Sequence, residues 1–428
     1  MTNTQPQSSI SPHFSSLHPR LIKGLEKLGF FRATPIQESC LPPALAGRDL
    51  MACAETGSGK TAAFLLPIMH QLLVYRDQER QEKGEWQRQT RALILAPTRE
   101  LAAQISEHFE DLGTYTNLGV KGIFGGVKRG PQERSLKSGV DVVVATPGRL
   151  LDHLACDYAS FMHLEFLVLD EADRMLDMGF LPDIKRIIAR LPKNKKQSML
   201  FSATMPAQIV QLARSLLDNP VSIAIDEPPA AVQSISHLVY PVPDRVKQHL
   251  LLKILKNHSV SSAIIFTRTK HRANRLHDYL ITRGVSCGVI HANRSQAQRT
   301  YTMKAFKAGE ITLLIASDIV ARGIDVQALS HVISFDAPQV PQDYIHRTGR
   351  TGRANLSGEA ISLISPQEEY NLKRIESLLG EKLPRRKIDD FDYDAQPKEA
   401  LEIPLSIRLA AYRAQRSSRP ASRRSTLR

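Results

Sequence analysis

Short apolar runs bounded by turn residues recur along this chain, and most of them are continuous rather than alternating. A continuous run suits a strand buried on both faces of a parallel sheet, whereas a strand with one solvated face alternates. Amphipathic helical patterns separate the runs, so the chain predicts repeated βαβ units and an α/β fold. The helical patterns are Glu100–Leu112, Lys270–Arg283 and Gln296–Lys307, and the predicted strands are Leu93–Ala96, Val140–Ala145, Phe166–Leu169, Met199–Phe201, Ala263–Phe266, Gly288–Ile290, Leu313–Ala316, His331–Phe335 and Ala360–Ile364.

The alternation of strand and helix occurs twice, which predicts two parallel-sheet domains. A chain of 428 residues is long enough for two separate cores. We place the first domain at residues 1–222, a proline-containing linker at 223–235 and the second domain at 236–384. Residues 76–90 are strongly charged and follow the first long helix, so we interpret them as a surface excursion that carries the only tryptophan, Trp86.

A glycine-rich segment in the first half has the spacing of a phosphate-binding loop, although Ala54 stands where the strict motif has glycine. Glycines let successive backbone N–H groups point at an anion, and the helix that starts here adds the positive end of its dipole. We expect Lys60 to reach the β- and γ-phosphates of a nucleoside triphosphate and the Thr61 hydroxyl to bind Mg²⁺. The full segment is Ala54, Glu55, Thr56, Gly57, Ser58, Gly59, Lys60 and Thr61.

An acidic tetrapeptide, residues 170–173, follows the apolar run Phe166–Leu169. Carboxylates at the carboxyl end of a parallel strand lie where open α/β sheets bind their ligands. Asp170 is the candidate Mg²⁺ ligand, and Glu171 is the candidate base that orients and deprotonates the attacking water. Similar tetrapeptides occur on solvated helix faces, and it is the position after an apolar run that favours the catalytic interpretation.

The net charge of +14 predicts a polyanionic partner. Residues 407–428 contain seven arginines and no acid, so we expect the C-terminal tail, residues 385–428, to be disordered and to tether phosphates non-specifically. A tail that only keeps the chain in solution is the alternative. No apolar run approaches the roughly 20 residues needed to cross a bilayer. The polar N-terminus shows no signal peptide and the four cysteines are scattered, which together predict a cytoplasmic protein without membrane partners.

The second half has no phosphate loop, but it contains a basic segment that begins at His346. Its arginines are Arg347, Arg350 and Arg353. A solvated basic turn is one interpretation. The other is that His346, Arg350 and Arg353 belong to the catalytic machinery, with the two arginines supplying positive charge to the γ-phosphate as an arginine finger does.

In this order the motifs resemble those of the DEAD-box ATP-dependent RNA helicases, over residues 14–353. The resemblance implies two RecA-like parallel-sheet domains in tandem with a cleft between them, with ATP and Mg²⁺ as cofactors and RNA as partner. It also implies that Phe14 stacks on adenine, that Gln37 reads the adenine edge and that Asp325 contacts the ribose. For Gln37 alone, a helix cap is the alternative. Within the family, residues 174–180, 266–270 and 375–386 resemble the bacterial RhlE-type subgroup.

The resemblance assigns the RNA contacts to loops at strand ends. Their hydroxyls, bare backbone N–H groups and arginines suit phosphates and 2′-hydroxyls better than base edges. Ser202 and Thr204 resemble the motif that couples hydrolysis to strand separation, and we expect their hydroxyls to bridge residues 170–173 to the interdomain cleft. The implied RNA contacts are Pro97, Thr98, Arg99, Gly125, Gly126, Thr146, Pro147, Gly148 and Arg149 in the first half, and Arg268, Gln296, Arg299, Ser317 and Asp318 in the second.

The function that these motifs predict is ATP-dependent, sequence-tolerant unwinding of short RNA duplexes, with single-stranded RNA held through its backbone. Ribosomal precursors and RNA-decay machinery are the candidate settings. Two other functions fit the same motifs. One is an ATP-gated RNA clamp or scaffold that unwinds little, and the other is a DNA translocase, which a preference for strands with 2′-hydroxyls would exclude.

Overall fold

The computed structural model describes residues 10–55, 57–193, 196–225, 235–257, 260–317, 329–352 and 358–396. These residues fall into two compact units, residues 10–225 and residues 235–396. Within the described residues, no helix combines the length and the apolar character that a membrane span requires.

The first unit contains a seven-stranded parallel sheet in the order β3-β4-β2-β5-β6-β1-β7. All residues of the central strands β2, β4 and β5 are buried, as the continuous apolar runs predict. The strands are β1 Leu50–Cys53, β2 Ala92–Leu95, β3 Val120–Ile123, β4 Val142–Ala145, β5 Phe166–Leu169, β6 Gln197–Ser202 and β7 Val221–Ala224.

Helices cover both faces of this sheet, because successive strand side chains point to opposite faces and each face needs a cover. Ile94 belongs to one hydrophobic core, while its neighbours Leu93 and Leu95 belong to the other. The helices are α1 Pro12–Ser15, α2 Pro19–Lys27, α3 Pro35–Leu45, α4 Lys60–Lys83, α5 Arg99–Leu112, α6 Arg129–Ser138, α7 Pro147–Leu154, α8 Ala172–Asp177, α9 Leu181–Ile188 and α10 Ala207–Leu216.

The second unit contains a six-stranded parallel sheet in the order β10-β11-β9-β12-β13-β8. Its strands are β8 Ile235–Pro241, β9 Ala263–Thr267, β10 Cys287–Ile290, β11 Leu313–Ser317, β12 His331–Ser334 and β13 Gly358–Ile364. Its described α-helices are α11 Lys247–Asn257, α12 Lys270–Ile281, α13 Gln296–Lys307, α14 Pro341–Thr348 and α15 Glu369–Leu379, with short 3₁₀ helices at Asp244–Val246 and Pro366–Glu368. Two parallel sheets covered by helices confirm the predicted α/β fold class.

Four strands are outside the list of predicted strands: β1, which lies between β6 and β7, and β3, β7 and β8, which lie at sheet edges. An edge strand is covered less completely and therefore lacks a continuous apolar run. In β3, Lys121 and Gly122 are partly exposed, and in β7 Ser222 is exposed. Because β7 and β8 include residues 223, 224 and 235, the predicted linker at 223–235 is too long at both ends, and its residues 226–234 lie outside the described residues.

Most of residues 76–90 are exposed, as the interpretation of a surface segment predicts, but the segment is not an excursion after the helix, because it starts inside α4 and packs through Arg76 and Trp86. Helix α4 continues to Lys83, and the side chain of Arg76 is only 2% exposed. Trp86 is partly buried, its indole N–H donates to Asp141 Oδ1 at 3.2 Å, and the Arg91 guanidinium lies over its ring at 4.6 Å. This charged segment therefore contains the end of a helix and a turn, and both pack onto the first unit.

The start of the predicted disordered tail is also wrong, because residues 385–396 pack on the second unit. The Arg386 N–H donates to the Val239 carbonyl at 2.8 Å, which adds a short pairing to the free edge of β8. The side chains of Ile388, Phe391 and Tyr393 pack against the core of the second unit. The arginine-rich part of the tail, residues 407–428, lies outside the described residues.

This packing predicts that residues 385–396 contribute to the stability of the second unit. We expect a chain that ends at Pro384 to lose about 2–4 kcal/mol of unfolding free energy, the value of a few partly buried apolar side chains. A chain that ends at Gln396 is the matched control and keeps the stability of the full chain. Urea unfolding followed by circular dichroism measures the difference, and equal transitions for both truncations would contradict the docking.

Candidate functional site

The glycine-rich segment connects the end of β1 to the start of α4, as a phosphate-binding loop requires. Gly57 and Gly59 have φ values of 87° and 98°, in the left-handed region that glycine adopts without strain. A Cβ atom on Gly59 would lie 2.6 Å from Gln37 Nε2 and 2.7 Å from Thr34 Oγ1, so no larger residue fits. Thr56 lies outside the described residues.

Lys60 is the first residue of α4, and its ammonium group is buried. The side chain is 6% exposed, and Nζ donates to the Ala54 carbonyl at 2.5 Å. Burial lowers the pKa of Lys60, while the negative charges of Asp170, Glu171 and Asp173 oppose that shift. The acidic tetrapeptide is therefore electrostatically close to the lysine, as their predicted roles on one nucleotide require.

Asp170 directly follows β5, at the carboxyl edge of the sheet. It is 3% exposed, and Oδ1 accepts the Glu171 backbone N–H at 2.9 Å. Burial, and next the charge of Glu171, raise the pKa of Asp170 to about 7. A carboxyl group kept from water in this way is ready to exchange its proton for a cation.

Glu171 caps α8 in an unusual backbone conformation for a residue other than glycine, with φ at 52°. Such a conformation costs on the order of 1–3 kcal/mol and persists only where the surroundings hold it. Arg174 Nη1 lies 2.9 Å from Glu171 Oε2, and both side chains are buried. The carboxylate of the predicted base is therefore held by a cation one helical turn away.

Asp173 connects the acidic tetrapeptide to the end of β6. Its backbone N–H donates to Ser202 Oγ at 3.2 Å, and its Oδ2 accepts from both the backbone N–H and the hydroxyl of Thr204, each at 2.9 Å. Ser202 Oγ in turn donates to the Thr204 carbonyl at 2.7 Å. The structure thus contains the bonds from Ser202 and Thr204 to residues 170–173, and the predicted link from these hydroxyls to an interdomain cleft stays a prediction.

Gln37 lies against the phosphate-binding loop and also caps α3. Its Oε1 accepts the Thr34 backbone N–H at 3.0 Å, and its Nε2 donates to the Gly59 carbonyl at 3.1 Å. The predicted stacking of Phe14 on adenine is wrong for this structure, because the ring is 1% exposed within the core. Phe30, which also precedes the phosphate-binding loop in the sequence, is 49% exposed. Its ring therefore offers a base a stacking face that the buried ring of Phe14 does not.

The predicted RNA-facing loops of the first unit come together at the ends of the adjacent strands β2, β4 and β3. The Arg99 guanidinium lies against Gly125 and Gly126, where a Cβ on either glycine would meet it at 3.0 Å or less. Arg149 Nη1 donates to the Val127 carbonyl at 3.4 Å, and Gly148 has open space beside it. Thr98 and Thr146 cap the helices that follow β2 and β4, and Pro97 and Pro147 adjoin them.

In the second unit, Arg268 is tied to a buried ionic cluster. Its Nη2 lies 2.5 Å from Glu368 Oε1, and its backbone N–H donates to Asp336 Oδ2 at 2.8 Å. Arg347 donates to Ser334 Oγ at 3.0 Å and to the Asp336 carbonyl at 2.7 Å. Arg347 therefore has a structural role, while the half-exposed Arg268 can reach an external anion.

The remaining predicted residues of the second unit differ in how exposed they are, and some lie outside the described residues. His346 is partly buried on α14, and Arg350 just beyond it is 5% exposed. Gln296 is partly exposed and Ser317 is buried. Arg299 is 4% exposed, and the predicted contact of its side chain with RNA stays a prediction. Asp318, Asp325 and Arg353 lie outside the described residues.

The predicted metal ligands fit Mg²⁺ by their chemistry, although the part of the chain that the structure describes holds no cluster of three metal-ligating side chains. Mg²⁺ keeps several waters and binds proteins through one or two oxygens together with substrate phosphates. Asp170 offers a buried carboxylate, and Thr61 offers a hydroxyl in the first turn of α4. A site completed by the nucleotide needs no more protein ligands than these.

Arg174, Asp336 and Glu368 are the residues of these sites that sequence reasoning missed. Arg174 has a local signal, since a cation three residues after an acid on a helix commonly pairs with it. Glu368 follows Arg268 by a hundred residues, so the sequence gives no local indication of that pair.

The raised pKa of Asp170 predicts how the stability of the first unit depends on pH. A carboxyl group whose pKa is higher in the folded than in the unfolded chain binds a proton on folding. Its contribution is therefore present below its ordinary pKa of 3.8 and is lost as the pH rises to about 7. We expect Asp170→Asn to remove this dependence, which amounts to at most about 4 kcal/mol.

Trp86 lies in the first unit, so its fluorescence during urea unfolding at pH values on either side of neutrality measures this effect. Asp152→Asn, at a 67% exposed carboxylate, is the control and should leave the pH dependence unchanged. The same slope in the wild type and in Asp170→Asn would mean that another group titrates.

Comparison with known proteins agrees with this arrangement. The family model described as DEAD/DEAH box helicase matches residues 34–212, and the one described as Helicase conserved C-terminal domain matches residues 246–355. The chain is 41% identical to the ATP-dependent rRNA helicase RRP3 of Candida glabrata, over 87% of this chain and 74% of that protein. It is 38% identical to the DEAD-box ATP-dependent RNA helicase CshA of Bacillus subtilis, over 90% of this chain and 75% of that protein.

Among solved structures, Saccharomyces cerevisiae Dbp5 bound to RNA and ADP BeF3 has a TM-score of 0.77 at 30% identity, over 88% of this chain and 96% of that chain. The DEAD-box helicase Mss116 bound to ssRNA and UDP-BeF has a TM-score of 0.76 at 27% identity, over 94% and 85%. The RhlE-type subgroup stays a prediction, since these relatives do not single it out. The chain belongs to the DEAD-box helicases of the DEAD/DEAH box family.

Proposed function

We propose that this protein is an RNA-stimulated ATP hydrolase that separates short RNA duplexes. The observation that carries the proposal is a set of hydrogen bonds: the Ala54 N–H of the phosphate-binding loop donates to the Ser202 carbonyl at 3.1 Å, and Asp173 is bonded to Ser202 Oγ and to the Thr204 hydroxyl. It joins a triphosphate site to the motif expected to couple hydrolysis to RNA. The names of the relatives and the RNA and nucleotide analogues in the similar structures support ATP and RNA as the ligands.

The phosphate-binding loop receives the triphosphate. Lys60 exchanges the Ala54 carbonyl for β- and γ-phosphate oxygens, and the N-terminus of α4 adds the positive end of its dipole to the same site. Thr61 and Asp170 would hold Mg²⁺ together with the phosphates, and the ion would supply positive charge to the γ-phosphate. Gln37 reads the adenine edge while it holds Gly59, and Phe30 offers the base a stacking surface.

Glu171 acts as the general base for hydrolysis. As the water oxygen forms its bond to the γ-phosphorus, Glu171 accepts the water proton, and the bond to the bridging oxygen breaks to leave ADP and phosphate. Arg174 is a positioning residue, since its contact at 2.9 Å fixes one carboxylate oxygen and leaves the other for the water.

RNA binds the first unit through its backbone. The guanidinium groups of Arg99 and Arg149 and the backbone at Gly148, which has open space beside it, offer groups that suit phosphates and 2′-hydroxyls better than base edges. In the second unit, Arg268 supplies a half-exposed cation. Sequence-tolerant binding follows, and the names of the yeast relatives favour ribosomal RNA precursors over RNA decay as the setting.

Residues of the second unit complete the reaction site in this proposal. Arg350 and Arg353 supply positive charge to the γ-phosphate, His346 lies beside them in the sequence, and Asp325 contacts the ribose. Their support is the match of the second family model over residues 246–355. Hydrolysis would then be fast only when RNA and ATP together bring both units onto one nucleotide.

The first experiment compares ATP hydrolysis without nucleic acid, with single-stranded RNA, and with DNA of the same sequence. We expect strong stimulation by RNA alone. Lys60→Ala should abolish hydrolysis, and Glu171→Gln should lower it about 10²–10⁴-fold by removing the base. Glu110→Gln, at an exposed position on α5, is the matched control and should behave as the wild type.

Equal stimulation by DNA would move the assignment to a general single-strand translocase. Stimulation by RNA with long RNA residence and no duplex separation would favour the ATP-gated clamp. Full activity in Lys60→Ala would exclude the assigned nucleotide site.

The hydrogen bonds from Ser202 and Thr204 to Asp173 lead to a second prediction, on how hydrolysis is coupled to duplex separation. Thr204→Val removes one of the two bonds that Asp173 Oδ2 accepts from this residue, and leaves the backbone bond in place. We expect duplex separation to fall about tenfold while RNA-stimulated hydrolysis stays within about threefold, a difference near 1 kcal/mol as expected for one hydrogen bond. Thr114→Val, whose hydroxyl only bonds a nearby carbonyl on the surface, is the control. Parallel loss of both activities would assign Thr204 to hydrolysis itself.

A further inference from the structure

A cavity of about 850 Å³ opens in the first unit, within the size range of small-molecule sites in proteins. Its walls come from four segments that precede strands of the sheet. These are residues 85–90 before β2, Asn117 before β3, residues 136–139 before β4, and residues 158–163 before β5. All four strands are parallel, so these segments lie at the amino edge of the sheet.

The cavity is distinct from the nucleotide and RNA sites proposed above. The phosphate-binding loop, residues 170–173 and the RNA-facing loops all follow strands of the same sheet, and therefore lie at its carboxyl edge. None of those residues lines the cavity. An RNA strand across Arg99 and Arg149 would not pass over it.

Arg76 contributes a buried guanidinium to the cavity lining. The residue is 2% exposed and comes from α4. Nη1 donates to the Thr116 carbonyl, whereas Nε and Nη2 have no hydrogen-bond partner among the described residues. The nearest carboxylate oxygen, of Asp77, is 3.8 Å from Nε, beyond hydrogen-bond distance. A buried cation with unused donors is unfavourable unless an anion meets it.

The charge around the cavity strengthens this preference for an anion. Arg80 is exposed at the rim, and Arg88 and Lys137 line the wall, against one lining carboxylate, that of Glu85. Part of this charge is used locally, since Lys137 Nζ lies 2.8 Å from Glu133 Oε1 and Arg88 Nε lies 3.9 Å from the buried Asp141. Arg76 has a comparable carboxylate contact, with Nε 3.8 Å from Asp77 Oδ1, so what distinguishes it is that two of its donors lack hydrogen-bond partners among the described residues.

The rest of the lining is rich in neutral hydrogen-bonding groups. Gln87 and Gln89 contribute amides, and Ser138 and Ser160 contribute hydroxyls. Such groups can both donate to and accept from hydroxyl groups. An apolar anion would leave them without partners, whereas a polyhydroxylated anion would satisfy them.

We propose that this cavity binds a phosphomonoester of a small polyhydroxylated molecule, with the phosphate toward Arg76 and Arg80 and the hydroxyls toward the amides and serines. Guanidinium groups match phosphate oxygens through paired N–H donors, and the three terminal oxygens of a phosphomonoester can serve two guanidinium groups at once, whereas a carboxylate has only two oxygens. Sugar phosphates and nucleoside monophosphates share this chemistry. The size of the cavity admits either.

The only tryptophan of the chain, Trp86, lines the cavity and reports on it directly. Its fluorescence is measured during titration with ribose 5-phosphate, adenosine monophosphate, inorganic phosphate and ribose at constant ionic strength. We expect a saturable change with one or both phosphomonoesters, a weaker one with inorganic phosphate and none with ribose. The same titrations in Lys60→Ala separate this cavity from the nucleotide site and should give unchanged affinities.

Two variants test the assignment of the phosphate. Arg80→Ala, on the exposed rim, should weaken phosphomonoester binding about 3–10-fold, and Arg76→Met should weaken it at least about tenfold where the variant keeps the wild-type melting temperature. Arg134→Ala, an exposed arginine on α6 outside the cavity, is the matched control and should change nothing.

Three results would overturn the proposal. The first is a fluorescence change that follows ionic strength rather than the phosphomonoester. The second is equal affinity in Arg80→Ala and the control. The third is a response to 5′-phosphorylated single-stranded RNA without a response to either small phosphomonoester, which would make the cavity an RNA contact.

Discussion

The charged side chains at the carboxyl edge of the first sheet can stay buried only because they lie close to one another. The proposed nucleotide site depends on this constraint. Asp170, Glu171 and Asp173 each lie below a tenth exposed, as do Lys60 and Arg174. None of them could be buried alone, because an isolated ion loses several kcal/mol of hydration. Three carboxyl groups face only two cations, and burial, followed by the charge of Glu171, raises the pKa of Asp170 to about 7, so this carboxyl group holds its proton more tightly than usual. A Mg²⁺-bound triphosphate brings both a cation for the carboxylates and an anion for the lysine.

The second unit uses the same principle for a structural purpose. Lys247 is fully buried, and its Nζ lies 2.5 Å from Glu368 Oε2 and 3.7 Å from Asp336 Oδ1. Arg272 Nε lies 3.1 Å from the same Asp336 oxygen. Because the half-exposed Arg268 is tied to Glu368, its position is set by groups that cannot move without uncovering a charge. The buried ionic cluster therefore fixes the position of Arg268 at the surface.

A feature could be predicted from the sequence when its pattern lies within a few neighbouring residues. Buried central strands and the loop that ends in Lys60 have patterns within a few residues, and the structure contains them. The edge strand Val120–Ile123 has no continuous apolar run, so it was missed. The resemblance assigns Phe14 to the nucleotide, but the residue type alone does not reveal whether its ring lies on the surface or in the core. The pair of Arg268 and Glu368 depends on the fold itself, since only the tertiary structure brings together residues so distant in the chain.

Helix α4 physically joins the two edges of the first sheet. It begins with Lys60 at the phosphate-binding loop and carries Arg76 sixteen residues later, about 24 Å along its axis. Pro67 removes one internal hydrogen bond, yet the helix continues through it because both flanks are packed in the core. A packed helix moves as a unit more readily than it bends. The positions of Lys60 at one edge of the sheet and of Arg76 at the other are therefore set by the same packed helix.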